Sequence, residues 1–241
     1  SMQWRVKPSE KKDAWYSKFQ LFMDDDDKET GNKVKPSLVT NFIQPVDLRP
    51  STMKKWWNIT REKQERFLQQ FIPERHQILG NDLAAAHFLV HREGKVKFVG
   101  NPGWIKMDEE GRYSLPDRYV PDVVLEAIDC EKMELFYEGL ENIRRLKYLR
   151  YASFKDVIYF DDWCLDRISG LEFESLEVLN LSGTKITDKG LHALYRIPSL
   201  RKLILDDPYR NPTWKLTVAM LQEINPDLQI IETVRKDEVK T

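Results

Sequence analysis

One apolar spacing returns four times in the second half of this chain, and it restricts the possible folds more than anything else in the sequence. It runs apolar, two other residues, apolar, one other, apolar. It appears as Leu125, Ile128, Cys130; Leu149, Ala152, Phe154; Leu176, Leu179, Leu181; and Leu200, Leu203, Leu205. A shorter fragment begins at Leu228 with Ile231. The starts at 125, 149, 176, 200 and 228 are 24, 27, 24 and 28 residues apart. A period of about 20–29 residues with this pattern is that of leucine-rich repeats. The second half of each unit agrees, because Leu140, Leu165, Leu191 and Leu216 follow their starts by 15 or 16 residues. Each is expected to open an amphipathic helix: Leu140 with Ile143, Leu165 with Ile168, Leu191 with Leu194, and Leu216 with Met220 and Leu221.

One strand and one helix leave the gap between them open at both ends, and only stacked neighbours close it. The predicted fold is therefore α/β: a short right-handed arc of about four to five repeats with a parallel sheet, preceded by a helical N-terminal region. The expected boundaries are an N-terminal arm and acidic linker over 1–36, a helical cap region with a small hairpin over 37–121, the repeat domain over 122–234, and a polar tail over 235–241.

The front half is read piece by piece. Trp15, Phe19 and Phe22 stand at helical spacing, which predicts a short amphipathic helix over 9–23, an aromatic arm suited to packing on its own domain, on a partner or on a membrane surface. "DDDDKETGNKVKP" (24–36) cannot bury enough surface to order itself and reads as a linker. Ser51 is placed to cap a helix whose Trp56, Ile59, Phe67, Leu68 and Phe71 are expected to face inward, with Pro73 as its stop. "GNDLAAAHFLVHREG" (80–94) predicts a helix whose small residues Ala84, Ala85 and Ala86 admit another backbone closely, ended by Gly94. Alternation and the turn at Gly100–Gly103 predict an extended pair over 95–116.

Composition excludes several function classes. The net charge of −1 lacks the basic excess of a general nucleic-acid binder. The longest apolar run, "LAAAHFLV" (83–90), falls well short of the roughly 18 residues of a membrane span. Two cysteines, Cys130 and Cys164, form no disulfide framework and favour a reducing compartment. His87 and His91 share a helix face at zinc-ligand spacing but have no third ligand nearby. The chain has no GxSxG, phosphate loop, GxGxxG or Cys/His nucleophile arrangement, so no catalytic residue, cofactor or metal is expected.

The residues between the buried repeat positions would line the inner face of the arc. From these the predicted partner-binding set is Asp129 and Glu131; Tyr151, Ser153 and Lys155; Asn180 and Ser182; Lys202 and Asp206. Tyr151 is the one aromatic anchor among them. In "KDVIYFDDWCL" (155–165), Tyr159 or Phe160 is expected to be exposed. Asp161 and Asp162 are expected to cap the following helix, and Trp163 to join the core. Cys130 reads as a small apolar filler, and Cys164 as an inert thiol at a helix start.

The blocks "AAAHFLVHREGKVKFVGNPGWIK", "VPDVVLEAIDCEKMELFYEGLENIRRLKYL", "DDWCLDRI" and "ITDKGLHAL" together resemble the ATP synthase subunit s-like family of mitochondrial leucine-rich-repeat proteins, over about 80–232. The resemblance implies a mitochondrial protein on the matrix side of the inner membrane, peripheral and without a transmembrane span. It implies a non-enzymatic assembly factor for the distal membrane arm of respiratory complex I, acting by contacts with membrane-arm subunits and other assembly factors. The subunit s branch suggests an alternative, a regulatory or coupling factor on mitochondrial ATP synthase. An F-box-like repeat adaptor would need a partner-binding helical motif upstream of the repeats, and "WWNITREKQERFLQQFI" is not of that kind.

Overall fold

The computed structural model describes residues 49–206 and 212–233. The helix expected over 9–23, the linker over 24–36 and the tail over 235–241 lie outside the described residues. The chain divides into two compact units, 1–54 and 55–241. Of the first, only 49–54 is described, and it opens a helix.

Described elements run in the order α1 (Pro50–Leu68), α2 (Pro73–Leu79), α3 (Asn81–Val90), β1 (Lys95–Phe98), β2 (Leu125–Asp129), a 3-10 helix (Tyr137–Ile143), β3 (Tyr151–Ser153), α4 (Asp162–Ser169), β4 (Val178–Asn180), α5 (Asp188–Leu191) with a 3-10 extension (His192–Arg196), β5 (Lys202–Asp206), α6 (Pro212–Ile224) and β6 (Gln229–Thr233). The strands form one six-stranded sheet in sequence order. β1 joins β2 antiparallel, and every later pairing is parallel. The protein is thus α/β with a mostly parallel sheet.

The sheet's register follows from its leucines. Ala127, Tyr151, Val178, Lys202 and Gln229 stand side by side, 24, 27, 24 and 27 residues apart. Three apolar rows run beneath them, all buried: Leu125, Leu149, Leu176, Leu200; Ile128, Ala152, Leu179, Leu203; and Cys130, Phe154, Leu181, Leu205. Leu140, Leu165 and Leu191 close the gap from the helix side, with Ile143, Ile168 and Leu194. Each such leucine contributes about 1.5–3 kcal/mol through removal from water. The turn after each strand also repeats. Lys132, Asp156 and Gly183, seven residues past their starts, all have positive φ, at 59°, 56° and 71°. At Gly183 a side chain is excluded twice, by this conformation and by the Asp156 carboxylate that fills the space of a Cβ.

The structure corrects several expectations. The last strand is shifted by one residue: Ile230, not Ile231, pairs with Leu203. Leu228 is buried and imitates a repeat start, but it stands one position late. In α6 the buried residues are Trp214, Thr217 and Leu221, whereas Leu216 is 62% exposed and Met220 also faces outward. α1 begins at Pro50, before Ser51, and has no buried residue: Trp56, Ile59, Phe67 and Leu68 are exposed and Phe71 is half-buried. Pro73 opens α2 instead of stopping α1, as suits a residue that lacks an N–H. At the end of α3 the left-handed position belongs to Glu93, at φ 68°. Gly94 follows it, its N–H donating to the Leu89 carbonyl, and a Cβ there would strike that same oxygen.

What pins the front helices to the sheet is polar. Gln69 is 1% exposed. Its Nε2 donates to the Glu134 carbonyl at 2.8 Å and its Oε1 accepts from the Phe136 N–H at 2.9 Å. Asn142 Nδ2 donates to the Gln69 carbonyl at 2.8 Å. Behind this network, buried Leu83, Ala84, Ala85, Ala86, Phe88, Leu89 and Val90 of α3 cover the first unit's apolar end.

Candidate partner-binding face

Strand alternation turns one row of each strand away from the helices. Register places Lys97, Ala127, Tyr151, Val178, Lys202 and Gln229 in one rank across the sheet. Lys95, Asp129, Ser153, Asn180, Ile204 and Ile231 form the next. Glu131, Lys155, Ser182 and Asp206 continue the pattern past or at the strand ends.

The nine residues expected on this face divide into two groups. Asp129, Glu131, Tyr151, Lys155 and Lys202 are half-buried and reach solvent. Ser153, Asn180, Ser182 and Asp206 are buried, which corrects the expectation that the whole set is open to a partner. Three of the buried members, Asn180, Ser182 and Asp206, shape the turns. Asn180 Oδ1 accepts from the Ser182 N–H at 3.1 Å and from Ser182 Oγ at 2.8 Å. Asp206 Oδ2 accepts from the Gly183 N–H at 2.6 Å, and its other oxygen accepts from Thr233 Oγ1. Asp129 makes the same kind of turn, Oδ1 accepting from the Glu131 N–H at 3.1 Å. Short side chains bonded to their own backbone lie down against the sheet, and their neighbours cover them.

The accessible part is charged at one end. Lys95 Nζ lies 3.2 Å from Asp129 Oδ2, and Lys155 Nζ lies 2.8 Å from Glu131 Oε1. The hydrogen bond to Lys155 holds the Glu131 carboxyl below its ordinary range, and the same bond raises Lys155. Both pairs are partly exposed, so each is worth about 0.2–1 kcal/mol to the fold.

Tyr151 has a neighbour that strand spacing does not reveal. The segment after β1 turns at Gly100, and Ile105 bridges back to Val96. This sends Trp104 towards Tyr151, the rings meeting edge to face at 6.3 Å between centroids. Trp104 remains 45% exposed. A tryptophan just after the Asn101-Pro102-Gly103 turn was the available signal. The aromatic residue expected on this face is therefore one of a pair.

The insertion over 155–165 differs from its expectation. Phe160 is buried and stacks on Phe154, 4.7 Å between centroids, while Ile158 is exposed and Tyr159 half-buried. Asp161 caps α4, its Oδ1 accepting from the Cys164 N–H at 3.0 Å. Asp162 instead reaches the next unit, accepting from the Thr187 N–H at 2.7 Å and from Thr187 Oγ1 at 2.6 Å. Trp163, expected in the core, is 74% exposed.

Cys130 and Cys164 are buried and unbridged. Burial pushes both thiols up, Cys164 to about 12, so neither is a ready nucleophile. His87 Nε2 lies 2.9 Å from the Pro116 carbonyl, tying down the loop that precedes β2. Among the described residues no group of three His, Cys, Asp or Glu is placed to hold a metal, and no helix is long and apolar enough to cross a membrane.

No family profile matches the chain. Individual proteins do. Distal membrane arm assembly component 2 of Drosophila melanogaster is 44% identical over 230 residues, which is 95% of this chain and 78% of that protein. Mitochondrial ATP synthase subunit s of Bos taurus is 28% identical over 137 residues, 56% of this chain and 66% of its own length. The Homo sapiens subunit s is 27% identical over the same extent.

Proposed function

This chain belongs to the family of distal membrane arm assembly component 2, and on that premise we propose that it is a non-enzymatic assembly factor that builds the distal membrane arm of mitochondrial respiratory complex I through protein contacts. Its strand-turn-helix units are leucine-rich repeats over 122–234, and the helices and hairpin of 37–121 are their cap. It works on the matrix side of the inner membrane, and its partners are membrane-arm subunits and other assembly factors.

The relationship along nearly the whole chain carries this reading, because it spans the front half as well as the units. The strand face supplies a means. Tyr151 with Trp104 forms an aromatic anchor, and Asp129, Glu131, Lys155 and Lys202 surround it with exchangeable charges. Ser153, Asn180, Ser182 and Asp206 shape that face from below and are not its contact points.

A second reading, a regulatory factor on ATP synthase, draws on the shorter likeness to subunit s. Affinity capture of the tagged chain from mitochondria separates the two. The expected result is recovery of complex I membrane-arm subunits with their assembly factors. Recovery of ATP synthase subunits instead would replace the first reading with the second.

A further inference from the structure

On the helix side of the sheet, the start of the 3-10 helix and the start of α4 line a cavity of about 410 Å³. Its wall is aromatic. Phe136 is buried and packs on the half-buried Tyr159, with 4.3 Å between ring centroids. Tyr137 and Trp163 line it too and keep much of their surface in solvent. Two carboxylates, Glu138 and Asp161, stand among these rings. The face of an aromatic ring attracts a cation, and a carboxylate beside it adds a charge-assisted hydrogen bond.

The chain already uses this chemistry twice at the same place. Arg66 lies over the Phe136 ring at 4.9 Å, and Arg167 over the Tyr137 ring at 4.1 Å. Neither guanidinium satisfies the acids of the cavity. Arg66 donates to Glu62 Oε1 from Nε at 3.2 Å and from Nη2 at 2.8 Å. It meets Glu138 Oε1 at 3.7 Å, beyond hydrogen-bond reach. Arg167 donates to the Tyr137 carbonyl and pairs with Glu141. Glu138 Oε2 is buried with no hydrogen-bond partner among the described residues. The wall thus carries two carboxylates against one guanidinium, and Glu62 already neutralises that one. The field inside is negative: after burial, the charges of Asp161 and Glu138 help to hold the Cys164 thiol protonated. A buried carboxylate oxygen without a donor costs free energy that a donor from outside recovers. A flat guanidinium fits best, because it stacks on a ring while its N–H groups fork onto a carboxylate.

We propose that this cavity receives an arginine side chain of a partner protein, its guanidinium against the aromatic wall and donating to Glu138. The exposed Trp163 and Tyr137 beside it are of the types that carry binding energy at protein interfaces. The cavity lies on the helix side and shares no residue with the strand face, so either role can fail alone.

The test is titration of the isotope-labelled full chain with the capped tripeptide Gly-Arg-Gly, followed by NMR at the tryptophan indole N–H groups. Trp163→Phe and Trp104→Phe identify the two resonances that matter. That of Trp163 is expected to shift and saturate, and that of Trp104, on the strand face, to stay. The same peptide with norleucine in place of arginine, and tetramethylammonium, should each bind at least about threefold more weakly. Glu138→Gln should weaken the arginine peptide by about tenfold. Asp166→Asn should bind it as the parent does, since Asp166 lines the separate groove on the other side of Trp163. The dispersion of each spectrum shows that the variant is folded. The proposal is overturned if Trp163 does not respond, or if Trp104 responds in its place. It is also overturned if norleucine or tetramethylammonium binds as well as arginine, or if Glu138→Gln has no effect.

Discussion

Gln69 does more to join the front of the molecule to its sheet than any leucine of α1. Its amide bonds two backbone groups of the first unit while its own carbonyl takes Asn142. Gln69→Leu would keep the volume and orphan the buried Phe136 N–H, at a cost of about 1–3 kcal/mol. Urea unfolding of the variant should show a lowered midpoint with an unchanged slope. Of the two glutamines in "RFLQQFI" neither carries a sequence mark of this role, so the pattern predicts the helix with its apolar side inward, whereas Trp56, Ile59, Phe67 and Leu68 are exposed.

His76 is the other residue whose environment makes a prediction. Burial holds its pKa below the ordinary value despite Asn81 Oδ1 at 3.1 Å from Nδ1, and Arg75 and Arg144 push it in the same direction as burial. The fold therefore favours the neutral ring, while the unfolded chain binds a proton near pH ~6.5. Its contribution to stability is whole above that value and is lost as pH falls below it, levelling off only beneath the folded pKa. His91, also lowered by burial, adds to the same trend. The melting temperature should fall between about pH 7.5 and about pH 5.5, and His76→Gln should flatten part of the slope. A melting temperature that rises on acidification through that window would contradict the assignment.

Strands were legible because their evidence is local and redundant. Three apolar positions per unit set the register, and four units repeat it. The buried helix positions were legible only where a unit is compact, but the helix starts were not: Leu140 lies mid-way in a 3-10 helix, Leu165 is the fourth residue of α4, and Leu191 ends α5. Leu140, Leu165 and Leu191 follow their starts at nearly constant distance and are all buried. In α6 the same count lands on Leu216, yet the helix turns Trp214, Thr217 and Leu221 inward. Counting from the previous start fixes a helix's rotation only while the connection keeps its length, and one residue of slip rotates the face by about 100°. Trp214→Ala should therefore cost about 3–5 kcal/mol, and Leu216→Ser less than about 0.5 kcal/mol. Thermal melting of both variants checks this, and equal losses would mean that α6 is seated as its leucines suggested.

For the whole molecule, stacking was readable and the accessible face was read only in part. Alternation tells which way a side chain leaves its strand, and register sets Tyr151 in rank with Val178 and Lys202, and Asn180 beside Ser153 and Ile204. Exposure depends further on length and on bonds to the backbone. Asn180 and Asp206 are held down by the turns they stabilise, whereas Tyr151 and Lys155 are half-buried and keep part of their surface in solvent. Trp104 comes to the face from outside the units, through a bridge between Val96 and Ile105 that no period encodes.

The proposed role depends on that face holding a partner, and Tyr151→Ala with Lys155→Glu tests it most directly. The pair removes one ring of the anchor and inverts a charge, and neither residue is in the core, so the melting temperature should stay within a few degrees of the parent's. Quantitative affinity capture from mitochondria should then recover membrane-arm subunits at several-fold lower yield than the parent chain. Undiminished recovery by a folded double variant would contradict the role given to this face.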